Sequence, residues 1–201
     1  ELGLSRSRNQ AINLAGGRYV YLCDDDVDLD VDVLLSIADT AERQQLGIAA
    51  FRVGQGNGDY KLYPRHEMRV GLLAAARLHS ANFIVQGSLL RASNARYPED
   101  MGLGTELPNG EEYVFVARLL NYGAKARYFP IVAVQHPQVS SGQSFPRDVR
   151  DVRAKRLMFD RVFGRLSLFF RLAFALRKAP LAAKRMSLTQ FFGEMLWRPR
   201  Q

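Results

Sequence analysis

A short apolar run, Tyr19-Val20-Tyr21-Leu22-Cys23, ends in three consecutive carboxylates, Asp24, Asp25 and Asp26. Five residues rich in aromatic and β-branched types read as a buried strand, so the acids sit where that strand leaves its sheet. In open α/β sheets, ligands bind beyond the carboxyl ends of the strands. Adjacent carboxylates repel one another by roughly 1 kcal/mol per pair at 4 Å even in water. A divalent ion such as Mg²⁺ or Mn²⁺, held by one or two carboxylates and completed by diphosphate oxygens, would offset that repulsion. The bland alternative is a solvated acidic turn. A calcium loop of the EF-hand type is excluded, although Asp24, Asp26 and Asp28 have its opening spacing. Its sixth position is Leu29 where Gly is needed, and its twelfth is Leu35 where Glu is needed.

With 201 residues, a hydrophobic share of 47% and a charged share of 24%, the chain has the make-up of one globular domain with an appended segment. Its net charge of +8 is misleading as a sign of nucleic-acid binding. Residues 1–145 carry 14 Lys and Arg against 16 Asp and Glu, whereas residues 146–201 carry 14 against 4. The surplus therefore belongs to the tail, and no nucleic-acid partner is expected. The single cysteine, Cys23, lies in the apolar run and reads as core. With no second cysteine to pair with, it fits a reducing compartment. No apolar run approaches the roughly 20 residues that span a bilayer. The chain opens Glu1-Leu2-Gly3, without an initiator Met or a signal segment, which is expected of a fragment.

Taken in order, Ser5 or Ser7 caps a helix carrying Ala11, Ile12, Leu14 and Ala15, which Gly16-Gly17 ends. Arg6, Arg8 and Asn9 fall in its first turn, where cations oppose the helix dipole. Either anion contact, pairing with the Asp cluster or simple solvation accounts for them. Residues 31–43 form an amphipathic helix. Residues 47–53 and 60–63 form a hairpin across a Gly-rich turn, 66–79 a helix and 82–90 a strand. Residues 97–109 make a long loop containing Gly102, Gly104 and Thr105. Asn109, with Glu112 three residues on, spells a capping box for the next helix. Glu112 is therefore either that cap or a general base toward a substrate hydroxyl. Residues 126–129 and 131–135 are two strands broken at Pro130. They deliver His136, which is either a satisfied polar residue or the imidazole that completes a metal site.

The order of these pieces, Ser-Arg-Ser-Arg-Asn, the strand into Asp24-Asp25-Asp26, Gly102-Leu103-Gly104-Thr105, Gly110-Glu111-Glu112 and the strand into His136, resembles the family 2 glycosyltransferases of the GT-A fold. The match covers about residues 3–145. The resemblance implies an α/β Rossmann-like sheet lacking its first strands, in a domain spanning 1–145, with a helical tail over 146–201. It implies metal-dependent, inverting transfer of a sugar from a nucleotide-sugar donor to a hydroxyl of a glycan or lipid-linked acceptor, of the cell-surface polysaccharide type. Asp26, Asp24 and His136 would hold Mn²⁺ or Mg²⁺. Arg8, Asn9, Asp24, Asp25 and Asp26 would contact the donor. Glu112, with Glu111 beside it, would be catalytic, Glu standing where the family's usual pattern has Asp. Gly102, Gly104 and Thr105 would form the acceptor loop. Ser140-Ser141-Gly142 resembles a continuation seen in bacterial members.

The tail, residues 147–178, interleaves ten cations with Phe and Leu. At 100° per residue, Asp160, Arg161, Gly164, Arg165, Ser167 and Arg171 share one arc, with an apolar face opposite. Such a helix either lies on an anionic membrane surface, which would place the protein peripherally at the inner face of the cell membrane, or packs on the domain or a second subunit. Two rival functions remain: a nucleotidyltransferase on a similar sheet, or a non-catalytic module that binds membrane or nucleic acid.

Overall fold

The computed structural model describes residues 3–56, 58–136 and 145–197. Its elements run α1 (Leu4–Leu14), β1 (Tyr19–Tyr21), β2 (Asp28–Leu29), α2 (Val31–Arg43), β3 (Ile48–Gln55), β4 (Gly58–Asp59), β5 (Met68–Arg69), α3 (Leu72–Ala75), β6 (Phe83–Gln86) and α4 (Gly87–Ser93), followed by α5 (Glu111–Asn121), β7 (Ala126–Gln135), α6 (Val149–Phe163), α7 (Ser167–Ala182) and α8 (Leu188–Leu196). They fall into two compact units. One comprises residues 1–7, 97–114 and 140–201; the other comprises 8–96 and 115–139.

The second unit holds the whole sheet, in the order β1-β6-β3-β7-β2, with β4 on β3 and β5 on β7. Among the strand pairs of this sheet in the described residues, only β3 and β7 run parallel. The apolar run Ile48-Ala49-Ala50-Phe51 is buried throughout, as a central strand covered on both faces requires. β7 is one strand rather than two. Pro130 is tolerated because the ladder with β3 is irregular around Arg52, and because the β5 and β2 pairings fall on either side of it. Helix α2 covers one sheet face, with Ile37 and Ala41 against Ala49, Phe51, Val53, Phe129 and Ala133. Its bounds match the expected ones. Asp30 caps it by accepting from the Val33 N–H at 3.0 Å, and Arg43 closes its last turn.

Several expectations need correcting. Ser5 and Ser7 do not cap α1 but lie inside it: Ser5 Oγ donates to the Met101 carbonyl at 2.6 Å and Ser7 Oγ to Gly3 at 3.4 Å. The strand before the acids stops at Tyr21, where its pairing with β6 ends at Tyr21–Ile84. Cys23, past that end, is half-buried and its thiol pKa is raised by burial. The hairpin closes earlier than expected, at Gly54–Asp59 and Gln55–Gly58, so Tyr60 already lies past the second strand. Residues 66–79 yield only β5 and the single turn of α3. The expected strand at 82–90 ends at Gln86 and becomes α4.

In the first unit the tail is not one continuous helix. Gly164, at φ 52°, breaks it after Phe163, and a 3₁₀ turn leads into α7. α6, α7 and α8 close around Val152, Ala175, Ala182, Phe191 and Met195. Part of the polar arc faces inward: Ser167 and Arg171 are buried, and Arg171 Nη1 lies 3.6 Å from Asp160 Oδ1. Leu168, Phe169, Leu172 and Leu176 of α7 are exposed instead. Among the described residues, no helix is long and apolar enough to cross a membrane.

Candidate active site

The sheet brings Asp24, Asp26 and His136 together. β7 ends at Gln135 and hands over His136, whose N–H donates to the Gly54 carbonyl at 2.9 Å. β2, which pairs with the same end of β7 through Asp28–Gln135, draws the chain that follows the acids to that point. One donor atom from each of the three residues lies within 4.8 Å of the others, and His136 Nε2 is 3.8 Å from Asp26 Oδ1. Two ligands of one small divalent ion lie at most ~4.4 Å apart, twice a bond of ~2.2 Å. Closing the triad therefore needs only side-chain adjustment. Two carboxylates and one imidazole suit Mn²⁺ or Mg²⁺ better than a soft-ligand metal. Asp25 is not in this group; it stands exposed in the turn between the other two acids.

Two neighbours order this triad. Arg8 is 6% exposed, and its Nη2 reaches Asp24 Oδ1 at 3.1 Å. A buried guanidinium beside the acids supplies the cation that their mutual repulsion calls for. Asn9, next to it on α1, is also buried. On the other side the Tyr60 ring stacks on the His136 imidazole, with centroids 5.0 Å apart and planes at 26°. The Tyr60 ring also meets His79, with centroids 5.4 Å apart, and His79 Nε2 lies 3.1 Å from Tyr63 Oη. Burial holds the His79 pKa down at about 3, so this wall stays neutral. Tyr60 was not anticipated. Nothing in its local sequence marks it, because its role depends on a residue 76 positions later (136 − 60).

The acidic pair belongs to the first unit. Gly110, at φ 99°, precedes α5, and Glu111 and Glu112 form its first turn. The capping box is absent. Asn109 Oδ1 has no hydrogen-bond partner among the described residues, while its Nδ2 donates to Asp151 Oδ1 at 2.9 Å. Glu111 is 5% exposed, and a Cβ on Gly102 would lie 3.1 Å from its Cδ, so that glycine leaves the room Glu111 occupies. Glu112 is half-buried and is the more accessible of the two. The loop before them is ordered by its own bonds: Gly102 N–H donates to Leu107 O at 2.8 Å, and Thr105 Oγ1 donates to Gly102 O at 2.8 Å. Gly104 is exposed at φ 88°. Ser140-Ser141-Gly142 lies outside the described residues.

Residues 1–102 match the family model described as glycosyl transferase family 2. The chain belongs to that family. Its fold is similar to that of S. aureus TarS 1-349 in complex with UDP, with a TM-score of 0.68 at 15% identity over 96% of this chain and 60% of that one. The same TarS segment with UDP-GlcNAc gives 0.63 at 15%, covering 96% and 62%. GalNAc-T7 with UDP, GalNAc and Mn²⁺ gives 0.56 at 12%, covering 96% and 43%. The α/β GT-A architecture expected of a family 2 chain is thus present. The chain spans about 60% of the TarS 1-349 segment that it matches. No curated protein matches it by sequence.

Proposed function

We propose that this family 2 chain serves metal-dependent glycosyl transfer from a nucleotide-sugar donor to a hydroxyl acceptor. The observation that carries the proposal is the convergence of Asp24, Asp26 and His136 on one point. The solved neighbours crystallised with UDP, UDP-GlcNAc and Mn²⁺ support it.

In this reading Asp24, Asp26 and His136 hold Mn²⁺ or Mg²⁺, which when bound neutralises charge on the departing diphosphate. Arg8 adds a buried positive charge beside the same group, with Asn9 and Asp25 as the further donor contacts. Glu112 accepts the proton of the acceptor hydroxyl; Glu111, enclosed against Gly102, fixes the start of α5. Gly102, Gly104 and Thr105 belong to the acceptor loop. By family analogy the displacement inverts the sugar's configuration.

The exposed side of α7, with Leu168, Phe169, Leu172 and Leu176 flanked by Arg165, Arg177 and Lys178, supports a peripheral position on an anionic membrane. There it would serve lipid-linked or cell-surface polysaccharide synthesis.

The test is incubation with Mn²⁺ and a panel of nucleotide-sugars, reading the product released. Nucleoside diphosphate, lost on chelation, is the expected result. Sugar 1-phosphate in its place, the leaving group when the nucleotidyl group is what moves, would establish the nucleotidyltransferase alternative, and neither product would overturn the proposal.

A further inference from the structure

The first unit contains a cavity of about 790 Å³, within the ~300–1,000 Å³ common for small-molecule sites. Its charged lining is Arg6, Glu99, Glu106, Arg147, Asp148 and Arg150, three of each sign, and Gly104 and Thr105 of the glycine loop complete one side. The arginines already have partners. Arg6 Nε lies 3.4 Å from Glu99 Oε2. Arg147 Nη2 and Nε meet Asp151 at 3.0 and 3.1 Å, and Arg150 Nη2 and Nε meet Asp148 at 2.8 and 3.1 Å. Asp148 also caps α6, accepting from the Arg150 and Asp151 N–H groups, so the positive end of that helix is occupied too. Glu106 is exposed, and its charge acts on Arg150 and Arg153.

We infer that this cavity takes the acceptor and that the acceptor group it takes is a neutral, polyhydroxylated glycan. The inference rests on the glycosyl-transfer reading and deepens it. A guanidinium keeps donors to spare after one paired contact, and a carboxylate keeps lone pairs to spare. Each sugar hydroxyl both donates and accepts, so it satisfies both kinds of group at once. A phosphate or carboxylate only accepts. It would find no cation without a partner here and would face three carboxylates, so its desolvation would go uncompensated. A lipid chain would find charged groups where it needs apolar surface. The fixed pairs also hold the polar atoms in place before the ligand arrives, which lowers the ordering cost of binding.

The test is a glycan array carrying neutral oligosaccharides, the same oligosaccharides bearing a phosphate ester, and uronic-acid-containing ones, probed with the whole chain. Neutral glycans should bind, and their phosphorylated forms should bind at least about tenfold more weakly. Glu106→Gln should weaken neutral binding about tenfold without moving the melting temperature. Glu106→Arg, which shifts the lining by two charges, should raise binding of the phosphorylated forms. Preference of the unaltered chain for phosphorylated or acidic glycans, absence of binding to any neutral one, or indifference to both Glu106 substitutions would overturn the inference. Titration with Mn²⁺ and UDP, GDP, dTDP and CDP separates its failure from that of the parent reading. Nucleotide binding without glycan binding leaves the transferase proposal standing and removes this one.

Discussion

Replacing Glu112 by Gln, and separately Glu111 by Gln, should divide catalysis from folding at the start of α5. Glu112 is half-buried, and the capping box that would have given it a purely structural duty is not formed, since Asn109 Oδ1 has no hydrogen-bond partner among the described residues. Glu112→Gln keeps the shape and removes a basic carboxylate, so stability should stay within ~0.5 kcal/mol, the usual range for surface changes. Turnover should fall ~10²- to 10⁴-fold, the usual worth of general-base catalysis. Glu111 is enclosed on the Gly102 backbone at 5% exposure. There an amide in place of a carboxylate must find new partners without room to move. Its cost should be ~1–3 kcal/mol, read as a drop of ~2–4 °C in melting temperature per kcal/mol for a chain of this size. Turnover per folded molecule should change little. The assay pairs nucleoside diphosphate release with thermal unfolding of each variant. A Glu112→Gln protein within a few-fold of the unaltered turnover would refute the assignment. A folded but inactive Glu111→Gln protein would move the base by one residue.

Other predictions follow from the triad, its wall and the tail. Mn²⁺ titration followed by electron paramagnetic resonance should show His136→Ala and Asp26→Asn losing binding, with Tyr60→Leu weakening it ~10-fold as outer-shell changes do; unchanged affinity in His136→Ala would remove it from the site. The His79 pKa, depressed from 6.5 to about 3, means that the unfolded chain takes up a proton that the folded one refuses. Its contribution to stability is whole above pH 6.5 and should be lost as pH falls toward 3, at no more than ~1.4 kcal/mol per pH unit. Urea unfolding of His79→Gln should lack that slope between pH 6.5 and 4.5, and an unaltered slope would assign it to other groups. Sedimentation with vesicles containing phosphatidylglycerol should retain the chain at low salt and release it as salt rises. Phe169→Glu should abolish binding, whereas equal binding to neutral vesicles would rule out the electrostatic part.

How much of this was legible in the sequence depends on the range over which each feature is determined. Helix α2 was legible to the residue, because its apolar period and its last-turn Arg43 are all local. The stretch 66–79 was not. Its apolar residues imitate a helical period, but Met68 and Arg69 pair with Tyr128 and Arg127, some sixty positions later. Pro130 was read as the end of a strand because a ladder normally needs every N–H. Only the irregular pairing around Arg52 shows why one could be dispensed with.

The acidic run and His136 were legible as a possible metal site because hard-ligand chemistry needs those residue types, whereas the stacking partner Tyr60 was not. Any buried Tyr reads as core, and its contact with His136 exists only once the β3–β7 pairing is made. The tail fails differently. A period of 3.6 defines two faces but not which of them is covered, and the natural rule sends charge outward. Here Arg171 is 4% exposed and answers Asp160, also on the helical hairpin, at 3.6 Å. A buried pair of this kind contributes little net stability, since desolvation cancels most of the attraction, but losing either partner leaves a charge stranded. The pair therefore fixes how α6 and α7 meet more than how strongly they hold. The same orientation is what leaves Leu168, Phe169, Leu172 and Leu176 facing outward. An apolar outer face on a three-helix unit is costly in water unless something covers it, and the cations beside it favour an anionic surface for that role.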